Sequence, residues 1–350
     1  ELEQRARAVT RLATRRDRLV LAAGNRNGGA VHLIDGNTGE TYDIAALAGL
    51  RDPLLFTGTL RTDPDGTAIA VADANSFQTV VLRGLGDDTA EPVIENYADQ
   101  PMVISDRLLA TTQVVGGRAD VTLHPMGADP AAPVAAMIPA GGAILDGSLL
   151  AVTTDGSVIG LRVGDRQVRQ LGTLTLPSGA TVTRVHPAAE GTRLVVYGDA
   201  YVGVLDVDGT VLYEAAFDAG AEAPEPFTPA WEWICLPVGI GTPEAAIIDL
   251  TDGTQVTRLR GIAATDASAD GCTVIGTRGP QTVVAGEPGT VALGPTRDAT
   301  LSPDGRLVVR QLADGTTELV PLDENLDAGT PIDISADVPS QAVTVTFVER

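Results

Sequence analysis

The chain has 350 residues and carries 46 acidic side chains against 24 cations, all of them arginine, for a formal net charge of −22. A surface of that sign repels phosphate, which argues against nucleic acid or an anionic membrane face as a partner. Aromatics are only 3% of a chain that is 44% apolar, so its core must come from Val, Leu, Ile and Ala.

Residues 1–18 (ELEQRARAVTRLATRRDR) hold six Arg and three acids, a local charge of +3. The expectation is a tether or short helix over residues 1–16, following a removed signal or an upstream membrane anchor. An ordinary solvated lead-in is the other reading. Residues 17–350 are expected to form a single domain. No run of 18 apolar residues occurs, so no segment is expected to span a membrane as a helix.

From there a unit of about forty residues recurs. It comprises a turn holding Asp-Gly or a close relative, an apolar strand, a short loop and a second strand. In chain order the clear copies are RRDRLVLAAGNRNGGAVHLIDGNTGETYDI from Arg15, DPDGTAIAVADANSFQTVVLRG from Asp63, LDGSLLAVTTDGSVIGLRVG from Leu145, AEGTRLVVYGDAYVGVLDVDGTVLYE from Ala189 and SPDGRLVVRQLADGTTELVPLD from Ser302. Weaker copies begin near Ser105, Trp231 and Asp270. The central strands are predicted to start near Leu19, Ala68, Leu108, Leu149, Leu194, Ile234, Thr273 and Leu307. Each is apolar or alternating, as sheets covered on both faces require. Asp-Gly between such runs is the tight-hairpin signal.

Four short strands repeated at this period make an all-β propeller of seven or eight four-stranded blades, with eight units counted. The first unit lacks a clear leading strand. The last run, Ala342–Glu349, is expected to close the ring against it. A β-solenoid and two packed β-sandwiches are the rivals; neither explains the period as well.

Leu19–Ile44 and Leu194–Tyr213 resemble the repeats of bacterial YVTN and quinoprotein-like propellers. Asp35 and Asp206 match that repeat's aspartate, and Gly39 and Gly209 its hairpin glycine. The resemblance implies a propeller and leaves function open. With two Trp in the chain, the repeated docking tryptophan of quinone-dependent dehydrogenases is missing, as is the Trp-Asp signature of WD40 units. In style the acidic, lysine-free chain is also similar to periplasmic propellers of actinobacterial envelope proteins, some of which serve mycolate glycolipid or lipoglycan export.

No catalytic residues, metal site or cofactor are assigned. His32, His124 and His186 fall in or beside predicted strands, without metal-ligand spacing. Asp63-Pro-Asp65-Gly66 and Asp206-Val-Asp208-Gly209 have the alternating carboxylates of calcium loops, but hairpin turns explain both. Cys235 and Cys272 occupy the same place in successive repeats. They form either a disulfide, natural in an exported protein, or two buried thiols.

Two biases coincide further along. Seven of the twelve aromatics lie between Tyr197 and Trp233, and eleven acids without one arginine lie between Leu194 and Thr257. Tyr197, Tyr201, Phe227, Trp231, Glu232 and Trp233 are therefore the candidate ligand-binding residues. Aromatic faces stack on sugar C–H faces, while carboxylates accept hydroxyl protons. The alternative is that these rings fill a core otherwise built of small residues.

The expected function is an exported, non-enzymatic propeller binding a neutral sugar or glycolipid, such as a trehalose mycolate. An envelope membrane protein, for instance a lipid transporter, is the expected protein partner. The localisation expected is periplasmic or extracellular. The alternatives are a glycoside hydrolase, lyase or lactonase using channel carboxylates, and a protein-interaction scaffold.

Overall fold

Alternation of apolar strands and polar turns produces thirty strands and one short helix among the residues that this computed structural model describes. It describes residues 19–23, 31–35, 41–47, 56–62, 68–73, 79–83 and 93–97, and residues 99–335 except 106, 126–127, 130, 146, 218–232, 241 and 244. The chain divides into two compact units, Glu1–Leu171 and Gly172–Arg350.

The first sheet contains β1 (Leu19–Ala23), β2 (Val31–Asp35) and β3 (Thr41–Asp43). The one-turn helix α1 (Ile44–Leu47) follows, its first amides capped by Asp43 Oδ1 at 2.8 Å from Ala45 N. The second sheet contains β4 (Phe56–Thr62), β5 (Ala68–Asp73), β6 (Thr79–Arg83) and β7 (Val93–Tyr97). The third holds β8 (Gln100–Ile104), β9 (Leu108–Val115), β10 (Arg118–Pro125) and β11 (Val134–Ala136). The fourth holds β12 (Pro139–Leu145), β13 (Ser148–Thr153), β14 (Ser157–Arg162) and β15 (Arg169–Thr173).

In the second unit, the fifth sheet comprises β16 (Val182–Ala188), β17 (Arg193–Gly198), β18 (Tyr201–Asp206) and β19 (Val211–Ala216). The sixth has β20 (Cys235–Val238), β21 (Ala246–Asp249) and β22 (Gln255–Arg258). The seventh has β23 (Ala263–Ala267), β24 (Val274–Arg278), β25 (Gln281–Gly286) and β26 (Gly289–Gly294). The eighth has β27 (Asp298–Leu301), β28 (Leu307–Gln311), β29 (Thr317–Pro321) and β30 (Ile332–Asp333).

Every sheet is an antiparallel meander in chain order, the pattern of a propeller blade. The fold is an all-β propeller with eight blade sheets among the described residues, six four-stranded and two three-stranded. The central strands begin at Leu19, Ala68, Leu108, Ser148, Arg193, Cys235, Val274 and Leu307, each within one residue of its predicted start. Residues 1–16 and 342–349, and with them the expected tether and closing strand, lie outside the described residues.

Within each unit, successive sheets share cores, because neighbouring side chains on a strand point to opposite faces. In β20, Leu236 and Val238 pack with Val195, Val202 and Val204 of the fifth sheet. Cys235 on the same strand packs with Val274, Val283 and Ala285 of the seventh. Ile275 and Val284, one residue along, turn the other way to Val308 and Val320 of the eighth. That is why the central strands are apolar on both faces.

The Asp-Gly motifs form turns, and their carboxylates are engaged there. Asp208, Asp252, Asp270, Asp304 and Asp314 each accept the amide two residues on, at 2.8–3.0 Å. The Asp206–Gly209 motif closes β18 onto β19, with Gly209 N donating to Asp206 O at 3.0 Å. The matching Asp63–Gly66 motif lies outside the described residues. A series of these turns also links neighbouring sheets. Ala189 N donates to Trp233 O (2.9 Å), Ile234 N and Cys235 N to Asp270 O (3.0 and 3.1 Å), and Ala269 N to Pro303 O (2.7 Å).

Candidate functional site

Tyr197 and Trp233 belong to the core shared by the fifth and sixth sheets and are 6% and 7% exposed. Trp233 lies against Gly271, where a Cβ would come within 3.0 Å of the indole. Gly271 also holds a φ of +75°, so two constraints demand glycine there. Tyr201 is 3% exposed, and its hydroxyl donates to Glu214 Oε2 at 2.9 Å. The same oxygen accepts Thr175 N at 3.0 Å. Partial burial opposes the charge on Glu214, but these two donors outweigh it and hold the carboxyl below its usual range. Burial, and then the Glu214 carboxylate, push the Tyr201 hydroxyl well above its ordinary value.

These three aromatics therefore serve packing between and within sheets. Phe227, Trp231 and Glu232 lie outside the described residues. Cys235 and Cys272 are joined by a disulfide, with Cα atoms 4.9 Å apart. It links the entrances of β20 and β24, matching positions in successive blades. Among the described residues no helix is long and apolar enough to cross a membrane. The disulfide is consistent with an exported domain.

A different site lies between the first strands of the seventh and eighth sheets. It is a solvent-open cleft of about 440 Å3, lined by Thr265, Asp266, Thr277, Thr282, Thr296, Arg297, Asp298 and Thr300 over Ile275, Gly276 and Ala299. Its shape starts with glycine. A Cβ on Gly276 would lie 2.6 Å from Ala264 Cα, so its absence lets β23 approach β24 closely. The register then slips between Ala264 and Asp266, leaving Thr265 as the extra residue of a bulge. Its hydroxyl donates to Ile275 O at 3.3 Å.

Asp266 bridges the cleft's base. Oδ1 accepts Ala267 N at 2.9 Å, and Oδ2 accepts Leu301 N from β27 at 3.2 Å. Thr282 and Thr296 pair through their hydroxyls at 2.5 Å. Asp298 uses Oδ1 on the adjacent Ala299 amide at 3.0 Å. Arg297 is exposed, and its guanidinium is unpaired among the described residues. The site can donate through guanidinium and hydroxyl groups and accept through carboxylate and hydroxyl oxygens. Sequence reasoning missed it because Thr is a common strand residue and carries no signal of its own.

Of the histidines, His124 sits in β10 with Nε2 2.8 Å from Thr111 Oγ1. His186 lies in β16 with its ring edge-on to Tyr197 at 6.2 Å. His32 falls in β2.

No protein-family profile matches the sequence, and no curated protein matches it. Solved structures align along most of this chain. A eukaryotic initiation factor aligns over 92% of this chain and 86% of its own, at 14% identity and a TM-score of 0.51. A dihydro-haem d1 dehydrogenase aligns over 90% of this chain and 73% of its own, at 14% identity and a TM-score of 0.44. The hydrazine synthase of Kuenenia stuttgartiensis aligns over 77% and 95%, at 12% identity and a TM-score of 0.37. At such identity the likeness concerns the fold alone.

Proposed function

We propose that this propeller is a non-catalytic binding module of an exported protein, with a neutral sugar or the sugar headgroup of a glycolipid as its ligand. The observation that carries this reading is how the carboxylates are used. Those of the Asp-Gly turns accept backbone amides, and Asp266 in the cleft has both oxygens on backbone amides. A carboxylate so engaged is a poor general base and a good fixed acceptor. In its finer form the reading sets the domain in the envelope of an actinobacterium beside a lipid transporter, with trehalose mycolate as ligand. Compositional style and the two YVTN-like units support that form.

The test is equilibrium dialysis against neutral saccharides and a short-chain trehalose ester, followed by chromatography of the recovered ligand. Saturable binding with the ligand returned intact is expected. Cleavage of the ligand would favour the hydrolase or lyase alternative.

The scaffold reading has its own observation. The hairpin of β9 and β10, with eight residues in each strand, ends in Val114 and Val115, exposed by 58% and 59%. Exposed apolar side chains at the tip of a blade's hairpin fit a protein contact. Under that reading, a bulky label on position 115 abolishes assembly with the partner while saccharide binding persists.

A further inference from the structure

We infer that the cleft between β23 and β27 is the saccharide subsite, with Arg297, Asp298 and Thr277 as its recognition residues; this rests on the binding reading above. Three features converge on a neutral polyhydroxylated ligand. The first is lining chemistry. A hydroxyl on a ligand donates one proton and accepts others, and this wall offers both kinds of partner. Among the described residues Asp298 keeps Oδ2 open while Oδ1 is held by Ala299 N, so its acceptor is fixed in direction. Arg297, next to it in sequence, presents a fork of donors unpaired among the described residues. Thr277 stands exposed on the opposite wall, at the far end of β24.

The second feature is charge. Two carboxylates face one guanidinium in the lining, in a chain of net charge −22. An acidic sugar, a phosphate or a nucleotide would meet net repulsion there. The third is form. About 440 Å3 falls within the roughly 300–1,000 Å3 usual for small-molecule sites. Half-buried Ala299 gives a small apolar patch on the floor for a C–H face. The wall is also built to be bare: Gly276 lies hard against the backbone of β23, and the bulge at Thr265 sets the strand's polar side chains beside the gap.

Asp266 differs in role from Asp298. With both its oxygens on amides, it ties β23 to the end of β27 and positions the walls. Recognition falls to the rim residues: Arg297 and Thr277 are exposed and Asp298 is half-buried, and substituting such surface side chains leaves the fold intact.

The experiment is calorimetric titration of the intact chain with glucose, mannose, galactose, arabinose and trehalose, and with glucuronic acid and glucose 6-phosphate as anionic controls. It is run on wild type, Asp298→Asn, Arg297→Gln and Thr277→Val, each checked for an unchanged melting temperature. Binding of at least one neutral sugar by wild type is expected. Asp298→Asn and Arg297→Gln should weaken it tenfold or more, and Thr277→Val several-fold, while the acidic controls do not bind. Wild-type affinity in all three variants overturns the placement and leaves the binding reading standing. Preference for the anionic controls overturns the ligand class. Absence of binding to every neutral sugar overturns both this inference and the reading beneath it.

Discussion

The junction between the second and third sheets and that between the sixth and seventh solve the same packing problem with different chemistry. At the first, Arg83 ends β6 with its side chain 0% exposed, 3.1 Å from Glu95 Oε2 on β7. Its Nη2 donates to His124 O in the next sheet at 3.5 Å. Tyr97 packs tilted against the His124 ring with centroids 4.4 Å apart, and His124 Nε2 meets Thr111 Oγ1, which in turn reaches Asp99 Oδ2 at 3.4 Å. At the second junction a disulfide, two amides on Asp270 O and an apolar cluster do the joining. The polar junction depends on every charge keeping its partner. The covalent one depends on redox state and on apolar area, and hardly on pH.

The largest expected effect breaks the polar junction. Arg83→Met leaves Glu95 without its cation in a site where burial is complete on one side of the pair. Removing one partner of a buried pair costs about 3–5 kcal/mol. Urea denaturation should show that loss for Arg83→Met. Arg83→Met with Glu95→Gln should recover part of it, since no uncompensated charge then remains. Equal stability of the single and double variants would show that the pair carries no coupling.

The covalent junction comes next. The bridge closes a loop with a sequence separation of 37 residues. Loop-closure entropy for that length gives about 3–4 kcal/mol, and measured losses are commonly 2–4. Cys235→Ala with Cys272→Ala should lower stability by about that amount under non-reducing conditions. Dithiothreitol should lower the wild type similarly and leave the double variant unmoved. A smaller change, about 1 kcal/mol, is expected from Ser302→Ala. That hydroxyl donates to Asp304 at 2.6 Å and accepts Leu307 N at 2.8 Å, so its removal loosens one turn of the eighth sheet.

The two junctions also differ in how far their residues announce them. Cys235 and Cys272 stand at equivalent positions of a forty-residue repeat, so their juxtaposition follows once the repeat is seen. The strand starts and the Asp-Gly turns are legible for the same reason: period and turn chemistry are local. Arg83 is not legible, because an arginine closing a strand reads as a solvated end. Nothing local reports that β10 of the next sheet covers it. Tyr197 and Trp233 pose a related difficulty. Where both faces of a strand are apolar, alternation does not say which ring meets solvent. The cleft by Asp298 depends on a bulge opposite Gly276, a matter of backbone approach that residue type alone does not encode.

Acid provides the finest separation of the two junctions. Burial lowers the pKa of His124 from 6.5; Asp99 and Glu95 oppose that shift, and Arg83 adds to it. The unfolded chain therefore takes up the imidazole proton first as pH falls. The His124 contribution is present in full above about pH 6.5 and is lost progressively below it, down to the depressed folded value. The turn carboxylates act in the same direction at lower pH. Donation from the Thr153 hydroxyl to Asp155, from Ser302 to Asp304, from Thr254 to Asp252 and from the amides of Thr210 and Thr316 holds those carboxyls below 3.8. Their contribution is present above about pH 4 and disappears below it. Melting temperature against pH should accordingly fall in two steps, one starting near 6.5 and one below 4. In His124→Gln the upper step should vanish while the lower one stays. Dithiothreitol should displace the whole curve downward without altering either step. An upper step that survives in His124→Gln would assign it to another group and leave the Arg83 junction insensitive to pH.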